Sequence, residues 1–272
     1  MPSTWPPPGY ASDPFEYGGI RRPVFRREPA GPPVLVFHEL SGLNDSTLRV
    51  AERIGAHGDL TPVLPALVGA PGQGGPIQNV IPLCVAWEFV TFATGRTSPI
   101  VGWLRALAAR ESSLAGGSSV GVVGMCFSGG FALSMVVDPL VEVAVASQPS
   151  LPLTFRGWPA GKARDLGLSA GDLACIRGRV ARGEAIVRAV RYAEDRISPP
   201  ARMDRIGHEL GPGVVMTPIL GRRHSVLGDG ASDRLAHPDA ARALNEVVRI
   251  LRERLAGLPA ETATPGPRRS AE

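Results

Sequence analysis

Residues 120–130 constrain the fold of this chain more than any other stretch. They begin as a β-branched run, Val120-Gly121-Val122-Val123, which has the composition of a buried parallel strand. They continue through Gly124-Met125-Cys126-Phe127-Ser128-Gly129-Gly130 into an apolar segment over 131–137, which predicts a helix. Cys126 therefore stands at the apex of a sharp strand–turn–helix junction.

The small residues around Cys126 have a mechanical reason. A sharp turn forces its apex residue into a strained backbone conformation, so the residues two positions away must lack bulk. Those residues are Gly124 and Ser128. The pattern is typical of a nucleophile elbow, in which the apex side chain is the nucleophile. Two alternatives stay open: Cys126 is a buried structural cysteine, or Ser128 is the nucleophile of a shifted elbow.

The length of the chain fits one large α/β domain or two small ones. The chain has 272 residues, of which 44% are hydrophobic and 20% charged, so it holds enough apolar surface for a sizeable core. No run approaches the ~20 apolar residues of a membrane span, and the first residues lack the features of a signal peptide. We therefore expect a cytoplasmic protein with no membrane partner.

The distribution of charge and of cysteines argues against a nucleic-acid-binding protein and against a zinc protein. The net charge of +4 comes from arginines that form no basic stripe, so no nucleic-acid partner is expected. Cys84, Cys126 and Cys175 form neither a CxxC pair nor a zinc pattern, so no metal is expected. A free thiol in a reducing compartment is the simplest setting for them.

Strands alternate with helices from about residue 33 to 255, which predicts a mostly parallel central sheet with helices on both faces. Predicted strands cover 20–27 (a short edge strand), 33–37, 60–65 (short or imperfectly paired because of its prolines), 120–125, 141–146, 185–192 and 214–220. Predicted helices cover 45–57, 77–93, 98–109, 131–137, 169–181, 198–210 and 237–255.

The two ends of the chain differ from this pattern. Residues 1–19 are rich in proline and glycine, which predicts an extended arm outside a single domain over 20–257. Residues 258–272 have the composition of a disordered tail. The glycine-rich run over 69–75 lacks the Lys-Ser/Thr of a phosphate cradle and predicts a surface loop.

Three residues follow the order that nucleophilic catalysis needs on such a sheet. A thiol nucleophile requires a base to take its proton and a carboxylate to orient that base. Cys126 is followed by Asp195, after the predicted strand over 185–192, and by His224, after the predicted strand over 214–220. Because the carboxyl ends of parallel strands share one edge of a sheet, we expect all three side chains to meet there.

Each member of this set also has a simpler interpretation. Asp195 could cap a turn before Ser198, and His224 could be a surface histidine. The other candidates for the base are His38, His57, His208 and His237. Two of them fall late in predicted helices, where a histidine more often meets the helix dipole, and His237 is a plausible helix cap.

Several motifs resemble the dienelactone hydrolases over residues 33 to 250. They are the elbow itself, the loop His38-Glu39-Leu40-Ser41-Gly42-Leu43-Asn44, the segment 191–203 around Asp195, and Arg223-His224-Ser225-Val226. A cysteine nucleophile combined with a glutamate in the first loop sets this family apart from most α/β-hydrolases, which use serine. The resemblance implies the α/β-hydrolase fold.

The resemblance also implies an activity and a set of roles. It implies hydrolysis of lactones or small esters through an acyl-enzyme on Cys126, with His224 as base and then acid, oriented by Asp195. The backbone N–H groups of Phe127 and Leu40 match the family's oxyanion hole, and Glu39 matches a glutamate that controls the nucleophile's ionisation. No cofactor is implied.

Substrate-binding residues are less defined. The candidates are Arg96, Arg156, Arg222, Arg223 and Ser225, chosen by their proximity in chain order. The expected partner is a small ester or lactone, and the expected assembly is a monomer or homodimer. Two other functions remain open: a non-catalytic binding protein that kept the fold, and a thioesterase or acyltransferase that uses the same elbow.

Overall fold

The structure, a computed structural model, describes residues 5–73, 89, 95, 97–151, 160–211, 213–232 and 237–258. Its strands are β1 (Tyr10–Ser12), β2 (Phe15–Tyr17), β3 (Ile20–Arg22), β4 (Val24–Arg27), β5 (Pro33–Phe37), β6 (Thr61–Pro65), β7 (Val120–Met125), β8 (Val141–Ser147) and β9 (Ile186–Val190). Its helices are α1 (Asp45–Gly55), α2 (Ile100–Leu114), α3 (Gly129–Met135), α4 (Ala160–Ala163), α5 (Ala170–Ala181), α6 (Pro200–Leu210), α7 (Val226–Gly230) and α8 (Pro238–Leu255).

The main sheet has the strand order β1-β4-β6-β5-β7-β8-β9. The strands β6, β5, β7, β8 and β9 pair in parallel, whereas β4 pairs antiparallel with both β1 and β6. A separate hairpin joins β2 to β3. The expectation of a mostly parallel central sheet is therefore confirmed, and the antiparallel pairs lie at its amino-terminal edge.

Alternate side chains of β5 point to opposite faces of the sheet, which separates the hydrophobic core into two layers. Val34 and Val36 pack in the layer formed with α1 and α8, whereas Leu35 and Phe37 pack in the layer formed with α2, α3 and α6. All five residues of β5 are buried. Helices on both faces explain why the strand is apolar throughout rather than alternating with polar residues.

The amino-terminal region differs from the predicted arm. β1 pairs with β4 on the main sheet, and β2 belongs to the hairpin, so residues 10–17 are part of the folded layer. Proline at position 23 divides the predicted strand over 20–27 into β3 and β4, and β4 lies inside the sheet rather than at its edge. β6 is short, as its prolines predict, and it pairs with β4 and with β5 over three residues each.

The segment over 214–220 does not form the predicted last strand. It contacts the sheet only through isolated parallel bridges, between Ala189 and Val215 and between Tyr192 and Ile219. Pro218 lies between these contacts and has no N–H to donate, so it interrupts a continuous ladder. These two bridges still hold the segment that leads to His224 beside the end of the sheet.

Some predicted elements begin elsewhere or lie outside the described residues. The α1 helix is capped by Asn44, whose side chain accepts hydrogen bonds from the amides of Ser46 and Thr47, rather than by Asp45 or Ser46. Most of the predicted helix over 77–93 and the tail from 259 onward lie outside the described residues.

Within the described part of the chain, no helix is long and apolar enough to span a membrane.

Candidate active site

Cys126 follows β7 directly and opens a short 3-10 turn, Cys126–Ser128, that leads into α3. Its φ of +59° lies in the left-handed region that a residue other than glycine rarely adopts. A side chain on Gly124 would collide with the carbonyl oxygen of Ser128 and approach Cβ of Ala132 to 2.9 Å. The glycine is therefore required by the turn, as the sequence predicts.

Ser128 is a structural residue of the elbow. Its hydroxyl is fully buried, lies 3.0 Å from the carbonyl oxygen of His38 and accepts a hydrogen bond of 3.0 Å from the amide of Met125. These contacts join the elbow to the end of β5. The hydroxyl is thus already engaged by the backbone, which contradicts the alternative in which Ser128 is the nucleophile.

Asp195 and His224 meet at the same end of the sheet. The Nδ1 atom of His224 lies 2.8 Å from Oδ2 of Asp195, whose side chain is only 1% exposed. The other carboxylate oxygen, Oδ1, accepts a hydrogen bond of 2.8 Å from the amide of Ile197. Arg191 donates to the Asp195 carbonyl at 2.7 Å and to the Ser198 carbonyl at 3.0 Å, which holds the acid loop in shape.

The environment of His224 favours its charged form. Burial lowers its pKa, but the hydrogen bond to Asp195 and the interactions with Cys126 outweigh burial and raise the pKa to about 10. His224 therefore lies between the Asp195 carboxylate, which its Nδ1 contacts, and Cys126.

His38 has the opposite environment and is unsuited to be the base. It is fully buried, its Nδ1 lies 2.6 Å from the carbonyl oxygen of Glu39, and its Nε2 accepts a hydrogen bond of 2.9 Å from the amide of Leu67. Burial lowers its pKa to about 4, so the ring is neutral. Among the other candidates, His57 and His208 are exposed and His237 packs its ring on Tyr192.

Glu39 lies in the same cluster, at the end of β5. The side-chain amide of Gln148 donates a hydrogen bond of 2.8 Å to its Oε1. Burial raises the pKa of Glu39, and the Ser225 hydroxyl, the His224 ring and the Gln148 amide offset this rise only in part. The Glu39 carboxyl therefore lies close to both Ser225 and His224.

Sequence reasoning missed two residues of the β8 loop, Gln148 and Ser150. The hydroxyl of Ser150 lies 3.4 Å from Sγ of Cys126, and its amide donates to the Cys126 carbonyl at 3.1 Å. Gln148 has a φ of +35° and is fully buried. The one available signal was their position directly after a buried strand of a parallel sheet, where functional loops collect.

The other predicted site residues lie beside the elbow, on the surface or outside the described residues. Phe127 is the residue after the nucleophile, and Leu40 lies in the loop after β5, so both backbones flank the elbow region. Arg222 pairs with Glu194 at 3.2 Å and Arg223 with Asp229 at 3.6 Å, and both arginine side chains are exposed. Arg96 and Arg156 lie outside the described residues, as does Cys84.

Among the described residues, no group of three or more histidine, cysteine, aspartate or glutamate side chains is placed to hold a metal ion. Cys175 is exposed on α5, and its sulphur is a free thiol.

Comparisons with known proteins define the class of fold. No family model matches the sequence, and no curated protein matches it either. Solved structures do match. An esterase described as novel and cold-adapted, from an Arctic intertidal metagenomic library, is 16% identical with a TM-score of 0.61, and the match covers 90% of this chain and 93% of that one.

Two further structures give the same result. A dienelactone hydrolase from Anabaena variabilis ATCC 29413 is 13% identical with a TM-score of 0.55, over 90% of this chain and 98% of that one. The thioesterase domain from the curacin biosynthetic pathway is 11% identical with a TM-score of 0.52, over 88% of this chain and 99% of that one. The chain therefore has the α/β-hydrolase fold, as its sequence predicts. Its likeness extends to dienelactone hydrolases and esterases of that fold.

Proposed function

We propose that this protein is a hydrolase that cleaves a lactone or a small carboxylic ester through a covalent acyl-enzyme on Cys126. The observation that supports this most is the strained, left-handed Cys126 at the elbow, beside an imidazole that hydrogen-bonds a buried carboxylate. Strain of this kind persists only where the surroundings enforce it, and it is found most often at active sites. The likeness to esterases and dienelactone hydrolases agrees with the proposal.

Acylation begins with attack of the Cys126 thiolate on the carbonyl carbon. The new S–C bond pushes the carbonyl electrons onto oxygen, and the resulting oxyanion is stabilised by the backbone N–H groups of Phe127 and Leu40. When the oxyanion collapses, the C–O bond to the alcohol breaks. His224, cationic in the resting site, gives its proton to the leaving alkoxide.

Deacylation reverses the roles of the same residues. Neutral His224 takes a proton from water, and the oxygen attacks the thioester carbonyl. The second tetrahedral intermediate collapses with cleavage of the C–S bond, which releases the carboxylic acid and restores the thiolate–imidazolium pair. Asp195 keeps Nδ1 of His224 as the donor throughout, so that Nε2 faces the reacting atoms.

No cofactor takes part in this scheme, and Glu39, Arg222, Arg223 and Ser225 are proposed to surround the substrate. We place the protein in the reducing cytoplasm, where the thiol stays free. The oligomeric state, monomer or homodimer, does not enter the mechanism.

The proposal is tested by intact-protein mass spectrometry after brief exposure to a panel of aryl esters and lactones. We expect a mass increase that equals one acyl group, mapped to Cys126, and a burst of phenolate. Cys126→Ala removes both, whereas Cys175→Ala, which changes an exposed thiol, retains them. Hydrolysis that survives in Cys126→Ala overturns the proposal. An added alcohol or thiol that captures the acyl group faster than water does identifies an acyltransferase instead.

A further inference from the structure

Gln148 has a backbone conformation that its side chain does not favour. It follows the last residue of β8 with a φ of +35°, and besides Cys126 it is the one residue other than glycine with positive φ in the described part of the chain. Its amide donates a hydrogen bond of 2.7 Å to the Val190 carbonyl, and the proline that follows restricts its backbone further. Such a conformation is unfavourable for an L-residue, whereas glycine adopts it readily.

The side chain of Gln148 bridges two loops of the proposed active site. Its Nε2 donates to Oε1 of Glu39 at 2.8 Å, in the loop after β5. Its Oε1 accepts a hydrogen bond of 3.3 Å from the amide of Val226, two residues after His224, and another from the hydroxyl of Ser147. The side chain is fully buried, so water does not compete for these contacts.

From this geometry we infer that Gln148 is a positioning residue of the proposed hydrolase, which fixes the Glu39 carboxyl and the His224 loop relative to one another. The inference rests on the proposed function. The amide is a donor toward Glu39 and an acceptor toward Val226, and glutamine provides both in one planar group. This double role gives a reason for glutamine at a backbone position that suits glycine.

The Gln148 side chain also affects the pKa of Glu39. A hydrogen bond donated to a carboxylate favours its ionised form, so the Gln148 amide lowers the pKa of Glu39 against the effect of burial. Loss of the amide therefore moves the titration of Glu39 to higher pH. The charge of Glu39 acts on His224, and we expect the shift to be visible in the reactivity of Cys126.

Two variants separate the donor from the acceptor. Gln148→Gly relieves the backbone strain and removes both contacts. Gln148→Glu keeps an acceptor for the Val226 amide but places a second carboxyl against Glu39, so that the two share a proton. We expect the pH at which Glu39 titrates to rise from wild type to Gln148→Gly and further to Gln148→Glu. The expected fall in kcat/KM is about 10- to 100-fold, as for the loss of one hydrogen bond to a charged group.

The measurement is the pH profile of kcat/KM for an aryl ester, together with the pH profile of Cys126 alkylation by iodoacetamide. Gln148→Gly is also made with Glu39→Gln, which leaves no carboxyl at position 39 or 148 to titrate, whereas Gln148→Glu is compared in the wild-type background because its own carboxyl titrates. We expect the pH shift to disappear in that background. Asn245→Ala, which removes an exposed amide that accepts from Arg53, serves as the control and keeps the wild-type profile.

A uniform loss of activity at all pH values, or a pH shift that Gln148→Gly still produces in the Glu39→Gln background, overturns the inference and leaves Gln148 a structural residue. If Gln148→Gly does not fold, Gln148→Glu decides the question because it keeps the glutamine's shape. The alkylation profile needs no hydrolysis. A wild-type protein that forms no acyl adduct therefore refutes the proposed function while the inference on Gln148 is still decided.

Discussion

At the scale of single residues, two histidines show how neighbours decide protonation. His38 has a backbone amide pointing at its Nε2, so that nitrogen must be an acceptor and the ring neutral, with a pKa near 4. His224 has the Asp195 carboxylate and the Cys126 sulphur beside it, and its pKa rises to about 10. Both histidines follow segments that lead to the same edge of the sheet, so only their contacts distinguish the structural ring from the proposed base.

The neutral His38 should make stability depend on pH. Its pKa in the folded state, about 4, lies below the unfolded value of 6.5. Above pH 6.5 the ring is neutral in both states, and its contribution to stability is complete. As the pH falls from 6.5 toward 4, the unfolded chain takes up a proton that the folded chain does not, so we expect a loss on the order of 3 kcal/mol.

Urea unfolding between pH 4 and 8 measures this loss. His38→Gln is the matched control, because glutamine offers both a donor and an acceptor but does not titrate. We expect the difference in unfolding free energy between wild type and His38→Gln to shrink or reverse as the pH falls through this range. A difference that stays constant from pH 8 to pH 4 would show that His38 is not held neutral.

Asp195 gives a second residue-scale expectation. Asp195→Asn keeps the size of the side chain but removes the charge that helps to raise the pKa of His224. The ring then loses its orientation and part of its cationic character, so we expect kcat/KM to fall by about 10²- to 10⁴-fold. The rate of Cys126 alkylation at pH 7 should fall as well. Asp229→Asn, on the neighbouring α7, is the comparison, and a comparable loss there would argue against a specific role for Asp195.

The sequence predicted these residues unequally, for a physical reason. Cys126 and Asp195 follow strands, and His224 follows a segment that is bridged to the sheet, in an order that brings them to one edge, so chain order was sufficient to propose them. Gln148 and Ser150 also follow a strand, but their roles depend on a positive φ and on loops that converge from distant parts of the chain. No local pattern encodes that convergence.

At the scale of elements, β7 and its turn were the most predictable part of the fold. The β-branched run, the glycines and the apolar helix all specify the same local geometry. The segment over 214–220 was the least predictable, since its apolar residues have a strand-like composition while Pro218 breaks the pairing. The boundaries of α2 differ from expectation by a few residues, whereas α5 begins at the predicted cap, Ser169, whose side chain accepts a hydrogen bond from the amide of Asp172.

Two glycines of β7 provide a matched test of the elbow. A side chain at Gly124 meets backbone, the Ser128 carbonyl oxygen, which cannot move without distorting the turn. A side chain at Gly121 meets the tips of Leu251 and Leu255, at 2.7 and 2.8 Å, and these can shift. We expect Gly124→Ala to lower the free energy of unfolding by about 3 kcal/mol, against about 1 kcal/mol for Gly121→Ala.

The same pair distinguishes a structural loss from a functional one. Urea denaturation gives the stabilities, and the rate of Cys126 alkylation reports the geometry of the elbow. Gly121→Ala should keep the wild-type alkylation rate, whereas Gly124→Ala should change it even where the protein is folded. Equal rates in both variants would mean that the turn tolerates a side chain at position 124.

At the scale of the whole molecule, the amino-terminal residues close the edge of the sheet opposite to β9. β1 pairs with β4, and Trp5 packs edge-on against Phe25 of β4 with ring centroids 5.0 Å apart. Strands of three residues are too short to show a periodic pattern, so composition alone indicated an arm outside the domain. The alternation of longer elements, in contrast, was sufficient to predict the fold class.

These contacts lead us to place the start of the folded unit before residue 20, and a truncation tests it. A chain that lacks residues 1–19 leaves Phe25 and the edge of β4 uncovered, and it removes Phe15, whose ring lies under the guanidinium of Arg110 at 4.7 Å. We expect it to lose at least about 2 kcal/mol of unfolding free energy, measured by urea denaturation. A chain that lacks 259–272 is the control of similar size. If the amino-terminal truncation is as stable as that control, the first 19 residues are an arm and the domain begins at residue 20.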